Sequence, residues 1–101
     1  MKRVVKIPFP SDLEILTPSH LGQAIKAART QSGLTQEQAA LFCGMSKQTY
    51  MGIEQGKDGT AIGSILEVAK HMGVALFVVP NHQRDKLKQQ LSTLMVTSDE
   101  T

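Results

Sequence analysis

The residues best suited to chemistry in this chain form a short polar run, Ser46-Lys47-Gln48-Thr49, with Met51 and Lys57 following at helical reach. A lysine there can reach the O6 and N7 acceptors of guanine, and the glutamine amide can pair with N6 and N7 of adenine in bidentate fashion. Thr49 can bond a phosphate or pack on a thymine methyl, and Lys57 can touch a phosphate. On an isolated helix the same residues would be solvent-facing filler. The backbone that precedes them decides between these readings.

Other chemistries lack a matching set of groups. His20, His71, His82 and Cys43 share no ligand spacing, and a structural zinc site normally takes four such groups. Cys43 falls on an inward helix face, where a thiol is usually inert. There is no phosphate loop, no G-x-S-x-G and no dense carboxylate pair. No enzyme activity, metal or cofactor is therefore expected. The 101 residues suffice for one small domain with short extensions. A single cysteine cannot form an internal disulfide, so nothing ties the chain to an oxidising compartment. The longest apolar run, residues 74–79, is far short of a bilayer span, and Pro8 and Pro10 interrupt any signal-peptide core. A cytoplasmic location is expected. With three Phe, one Tyr and no Trp, the chain has too few rings for a single-strand stacking platform. The net charge of +2 is mild and neither proves nor opposes nucleic-acid binding.

Several elements must position the polar run. Residues 1–16 read as an extended arm or strand, with Val5, Ile7 and Phe9 on one face and prolines that suit only an edge. Residues 17–73 read as four helices in quick succession. Thr17-Pro18 supplies an N-cap and a proline at the first helical position, and Leu21, Ile25 and Ala28 recur on one face before Gly33. Thr35 and Gln38 form a capping box for a second helix, whose inward face is Ala39, Ala40 and Cys43 and whose end is Gly44. Ser46 caps a third helix with Tyr50 and Ile53 buried, closed at Gly56. A fourth carries Ile62, Ile65, Leu66, Ala69 and Met72 as its apolar set and ends at Gly73. Only Gly44 and Met45 separate the second helix from the cap of the third, so the two must cross sharply. Small Ala40 allows the close approach, and Gly44 supplies the left-handed turn. This is helix-turn-helix geometry, in which the second helix of the pair enters the major groove. The expected fold is therefore mainly α: a compact domain of four to five helices, with short N- and C-terminal strands forming a small dimer sheet.

Residues 21–75 resemble the Cro/CI-type (XRE-family) helix-turn-helix domain. The matching residues are Leu34-Thr35-Gln36-Glu37-Gln38-Ala39-Ala40, Gly44, Ser46-Lys47-Gln48-Thr49, Ile53-Glu54 and Gly56-Lys57. The resemblance implies that Gln36 hydrogen-bonds a DNA phosphate at the positive end of its helix. It implies that Ser46, Lys47, Gln48, Thr49 and Met51 are the DNA-facing positions of a recognition helix. It also implies a structural pair between Arg29 and Glu54. Gly52 departs from the family, which usually carries a contacting side chain there. A narrower resemblance, to HipB-like antitoxins, rests on Gly73-Val74-Ala75-Leu76-Phe77-Val78-Val79-Pro80, where those proteins carry a dimerisation strand. It implies a HipA-like serine/threonine kinase toxin as partner, autoregulation of an operon through an inverted repeat, and a nucleoid-associated location.

Residues 74–80 are apolar on both faces, with Val74, Leu76 and Val78 on one and Ala75, Phe77 and Val79 on the other. A single strand needs backbone partners. It can pair with the N-terminal strand or with a second copy across a two-fold axis. A homodimer is expected, because it would present two recognition helices to half-sites about one DNA turn apart. Residues 81–101 read as an amphipathic helix and flexible tail, with Leu87, Leu91 and Leu94 in one stripe; packing on its own domain and docking of a partner are both open. Leu41 points away from Ala40 and is either a partner contact or a lone exposed leucine. The main reading is an operator-binding repressor that serves as a HipB-like antitoxin. Its alternatives are a stand-alone phage or chromosomal repressor, and a helical protein-interaction module that reads no operator.

Overall fold

The computed structural model describes residues 3–99. Helix α1 spans Pro18–Gln31, α2 Gln36–Phe42, α3 Lys47–Gln55, α4 Ile62–His71 and α5 Arg84–Asp99, the last preceded by a 3-10 turn at Asn81–Gln83. The caps follow the side-chain chemistry. Thr17 Oγ1 accepts from the His20 backbone N–H at 3.2 Å. At α2 the Thr35 hydroxyl takes the Gln38 N–H at 3.1 Å while the Gln38 amide oxygen takes the Thr35 N–H at 2.9 Å. Each of these bonds satisfies a donor that the helix leaves open.

Helices α1 and α3 pack most closely because glycine lets their backbones approach. A Cβ placed on Gly22 would lie 2.7 Å from the Ile53 carbonyl oxygen, and one on Gly56 would run into the backbone of Ser19. Glycine inside a helix costs about 1 kcal/mol of propensity relative to alanine. At Gly22 that cost is offset by a helix crossing no other residue would permit. The core beneath is Ile25, Ala28, Ala39, Ala40, Tyr50, Ile53, Val68 and Met72, with Phe9, Leu21, Leu34, Cys43, Met45, Ile65 and Val74 packed at its edge.

Of the apolar set carried by α4, Ile62 and Leu66 are exposed. The inward face is instead Ile65, Val68, Ala69 and Met72. Ile62 stands at the first helical position, beyond the end of the core, and Leu66 lies off the inward face.

The terminal strands expected from the sequence are absent among the described residues. A strand exists only through a backbone ladder, and here local bonds take that role. The backbone of Ile7 is held by side chains: its N–H donates to Thr30 Oγ1 and its carbonyl accepts from Gln31 Nε2, both at 2.9 Å. The Val74 N–H is used at 2.8 Å to close α4 on the Ala69 carbonyl. Residues 75–78 then run exposed. The arm passes from the last turn of α1 at Ile7 back to its cap at Thr17, laying Phe9 on the core and leaving Val5 in solvent.

The arm also holds α5. Lys88 Nζ lies 2.5 Å from Glu14 Oε1 and 3.6 Å from Asp12 Oδ2, and Arg84 reaches Glu14 Oε2 at 3.8 Å. The Glu14 N–H donates to Asp12 Oδ1 and holds the Asp12 carboxyl below its ordinary range; the Glu14 carboxylate raises Lys88. Leu87 and Leu91 are half-buried and Leu94 is exposed. The amphipathic helix and flexible tail expected over residues 81–101 are helix from Arg84 to Asp99, and residues 100–101 lie outside the described residues, as do residues 1–2. No helix among the described residues is long and apolar enough to cross a membrane.

Candidate nucleic-acid interface

The site is built on the turn between α2 and α3. After Phe42, Cys43 caps α2, and Gly44 turns left-handed at φ 70°. The Gly44 N–H returns to the Leu41 carbonyl at 3.1 Å and the Met45 N–H to that of Ala40 at 3.0 Å. These paired bonds close α2 and leave the chain at Ser46, ready to start α3. Ser46 Oγ accepts from the Thr49 N–H at 3.1 Å and donates to Thr49 Oγ1 at 2.9 Å. The first turn of α3 is thereby fixed by its own polar side chains.

Ser46, Lys47, Gln48 and Thr49 are all exposed on that turn, while Tyr50, Ile53 and Glu54 face inward and Met51 is half-buried. Lys47 Nζ forms an ion pair with Glu37 Oε1 at 3.0 Å. The pair lies where the turn sets the first turns of α2 and α3 side by side. Lys57 is exposed, and its aliphatic stem passes 3.7 Å from where a Gly52 Cβ would be. The missing side chain at Gly52 is thus partly covered by the lysine beyond the helix end.

Behind the exposed turn lies a buried polar network. Arg29 Nε donates to Glu54 Oε2 at 2.6 Å and Nη2 to Oε1 at 3.2 Å; Nη1 donates to the Leu34 carbonyl at 2.8 Å. Gln36 Nε2 also donates to Glu54 Oε1, at 3.2 Å. The network joins the end of α1, the start of α2 and the end of α3. Gln36, expected at a phosphate, spends one amide hydrogen on Glu54 and stands half-buried at the head of α2. The Tyr50 hydroxyl is buried beside the same carboxylate with no hydrogen-bond partner, and burial pushes its pKa upward.

Two participants escaped the sequence reading. Glu37 carries a weak signal, an acid in the first turn of α2, but its reach to Lys47 spans ten residues and a turn. Gly22 carries a clearer one, a glycine in mid-helix, which marks a close backbone approach. Of the residues expected at a dimer interface, Val74 packs on the core and Val79 is half-buried, whereas Leu76, Phe77 and Val78 are exposed, Phe77 at 86%. Leu41 is 83% exposed; neighbouring Phe42 meets the His71 ring edge-on at 5.4 Å.

Comparison with known proteins fits this geometry. A family profile described as helix-turn-helix matches residues 25–79. An uncharacterised HTH-type transcriptional regulator, y4mF of Sinorhizobium fredii (strain NBRC 101917 / NGR234), is 26% identical over 72 residues, covering 71% of this chain and 95% of that one. Among solved structures, the HipA-HipB-O2-O3 complex contains a chain similar in fold, with a TM-score of 0.61 and 24% identity over 67% of this chain and 96% of its own. The HipB-O4 20mer complex gives a TM-score of 0.60 with the same identity and the same coverage of both chains.

Proposed function

Because this chain belongs to the helix-turn-helix family, of the XRE type, we propose that it is a transcriptional repressor that reads an inverted-repeat operator with α3. The observation that carries the reading is the exposed first turn of α3, where Lys47, Gln48 and Thr49 stand together beside the head of α2. Lys47 reads guanine and Gln48 adenine from the major groove. Thr49 and Ser46 complete the turn, Met51 packs against the groove, and Gln36 and Lys57 bond the phosphates on either side. Arg29 and Glu54 hold α2 and α3 at the angle this requires.

The fuller proposal is a dimeric, HipB-like antitoxin that represses its own operon and binds a HipA-like kinase toxin. What supports it is the fold shared with HipB, solved elsewhere in complexes with HipA and with 20mer sites. The exposed Leu76, Phe77 and Val78 supply an apolar strip through which a second copy would pair. The division of the chain follows: residues 17–73 bind DNA, residues 74–80 join two copies, and the arm and α5 brace the domain.

Fluorescence anisotropy on a duplex carrying the gene's own upstream region, against a scrambled duplex over a salt series, tests the reading. The expected result is a preference of about 10³ or more that falls when Lys47→Ala and Gln48→Ala are combined. Equal binding to both duplexes that collapses with salt would reduce α3 to phosphate contact and overturn the operator reading. Co-purification of a kinase encoded beside the gene, with loss of its autophosphorylation in the complex, tests the antitoxin role.

A further inference from the structure

Lys47 is the first residue of α3 and Glu37 the second of α2, so the turn alone brings them together. Their 3.0 Å pair is 45% and 65% exposed, too open to hold the fold. Its consequence concerns what the ammonium is allowed to touch. A lysine head is a mobile point charge on a flexible stem, and on a DNA-facing surface it satisfies itself on any phosphate. An ammonium has three donors. With one directed to Glu37, the charge is offset by the carboxylate and the head is drawn to the first turn of α3. A phosphate then meets a neutralised pair. A guanine edge, with two acceptors side by side, still finds donors open to it.

We propose that Glu37 is a specificity-determining positioning residue, which holds the Lys47 ammonium for a guanine edge and withholds it from phosphates. The inference rests on the reading of α3 as the helix that enters the groove. Glu37 itself touches no base; it acts through Lys47.

The test uses the full chain and the two duplexes of the operator assay, with wild type, Glu37→Gln, Lys47→Ala and the double variant. Glutamine keeps the length of the side chain and removes its charge. Glu37→Gln is expected to tighten binding to the scrambled duplex more than to the upstream duplex. The ratio of the two affinities then falls about fivefold or more, the low end of what one base contact contributes. The salt dependence on the scrambled duplex steepens. In the Lys47→Ala background, the same change leaves the ratio where it was. Equal tightening on both duplexes, whether or not Lys47 is present, would make Glu37 a simple phosphate repeller and overturn the proposal, with operator reading intact. A wild type that prefers neither duplex overturns operator reading and this proposal together.

Discussion

Arg29 grips Glu54 along two parallel bonds, Nε to Oε2 at 2.6 Å and Nη2 to Oε1 at 3.2 Å, with both side chains buried. The guanidinium has a further bond, to the Leu34 carbonyl, so one residue of α1 fixes both the loop that starts α2 and the end of α3. Removing one charge strands the other in the interior. Glu54→Ala is expected to destabilise the domain by about 3–5 kcal/mol, read from urea unfolding. A paired Arg29→Met and Glu54→Leu replacement should recover most of that loss, because no lone charge is left. A double variant as unstable as Glu54→Ala would show that the pair's worth lies in its bonds to Leu34 and Gln36.

Tyr50 presents the opposite case. Its ring fills the core, but its hydroxyl is buried beside Glu54 without a hydrogen-bond partner. Tyr50→Phe should be neutral or stabilising by up to about 1–2 kcal/mol, whereas Tyr50→Ala should cost about 3–5 kcal/mol. The same burial sets a pH dependence. The folded phenol is raised above its ordinary value of 10.0, so the unfolded chain loses this proton first. Stability is therefore complete below pH 10 and falls as pH rises beyond it. Phenolate absorbance in an alkaline titration should appear together with the loss of helical circular dichroism.

Two glycines give a matched pair of controls. A methyl group on Gly22 collides with the Ile53 carbonyl, while one on Gly63 meets nothing within 4 Å. Gly22→Ala is expected to lose about 1–3 kcal/mol by forcing α1 and α3 apart. Gly63→Ala should gain about 0.4–1 kcal/mol by restricting the unfolded chain. Thermal melting of the two variants beside wild type measures both.

The arm and α5 should come loose together. Asp12 and Glu14 meet Lys88, and Glu14 also meets Arg84. Asp12→Asn with Glu14→Gln is expected to raise amide hydrogen exchange through α5 and leave exchange in α1 and α3 near wild-type values. Unchanged protection in α5 would show that its half-buried Leu87 and Leu91 hold it without the charges.

Local signals in the sequence were enough to find the domain's helices. Thr17, Thr35 and Ser46 cap as their chemistry predicts, and the Gly44 turn defines the helix pair. All of these act within a few residues of themselves. What the sequence hid depends on distance in the chain. The expected strands are absent among the described residues: the Ile7 backbone is taken by Thr30 and Gln31 and the Val74 N–H by the end of α4, bonds the sequence pattern does not reveal. The Lys47–Glu37 pair and the bond of Gln36 to Glu54 form only after α2 and α3 have crossed. The roles of Lys47, Gln48 and the others toward DNA follow from family likeness and exposure, and the binding measurements described above are their test.

The docking of Ile7 between Thr30 and Gln31 has a kinetic consequence. Helices α1 to α3 are capped by side chains within a few residues and joined by short turns, local contacts that form quickly. The arm has no structure of its own to nucleate; it can settle only after the last turn of α1 and the core under Phe9 exist. The arm, although it precedes α1 in the chain, is thus expected to be among the last segments to find its place, and α5, whose basic side chains close on Asp12 and Glu14, waits for it.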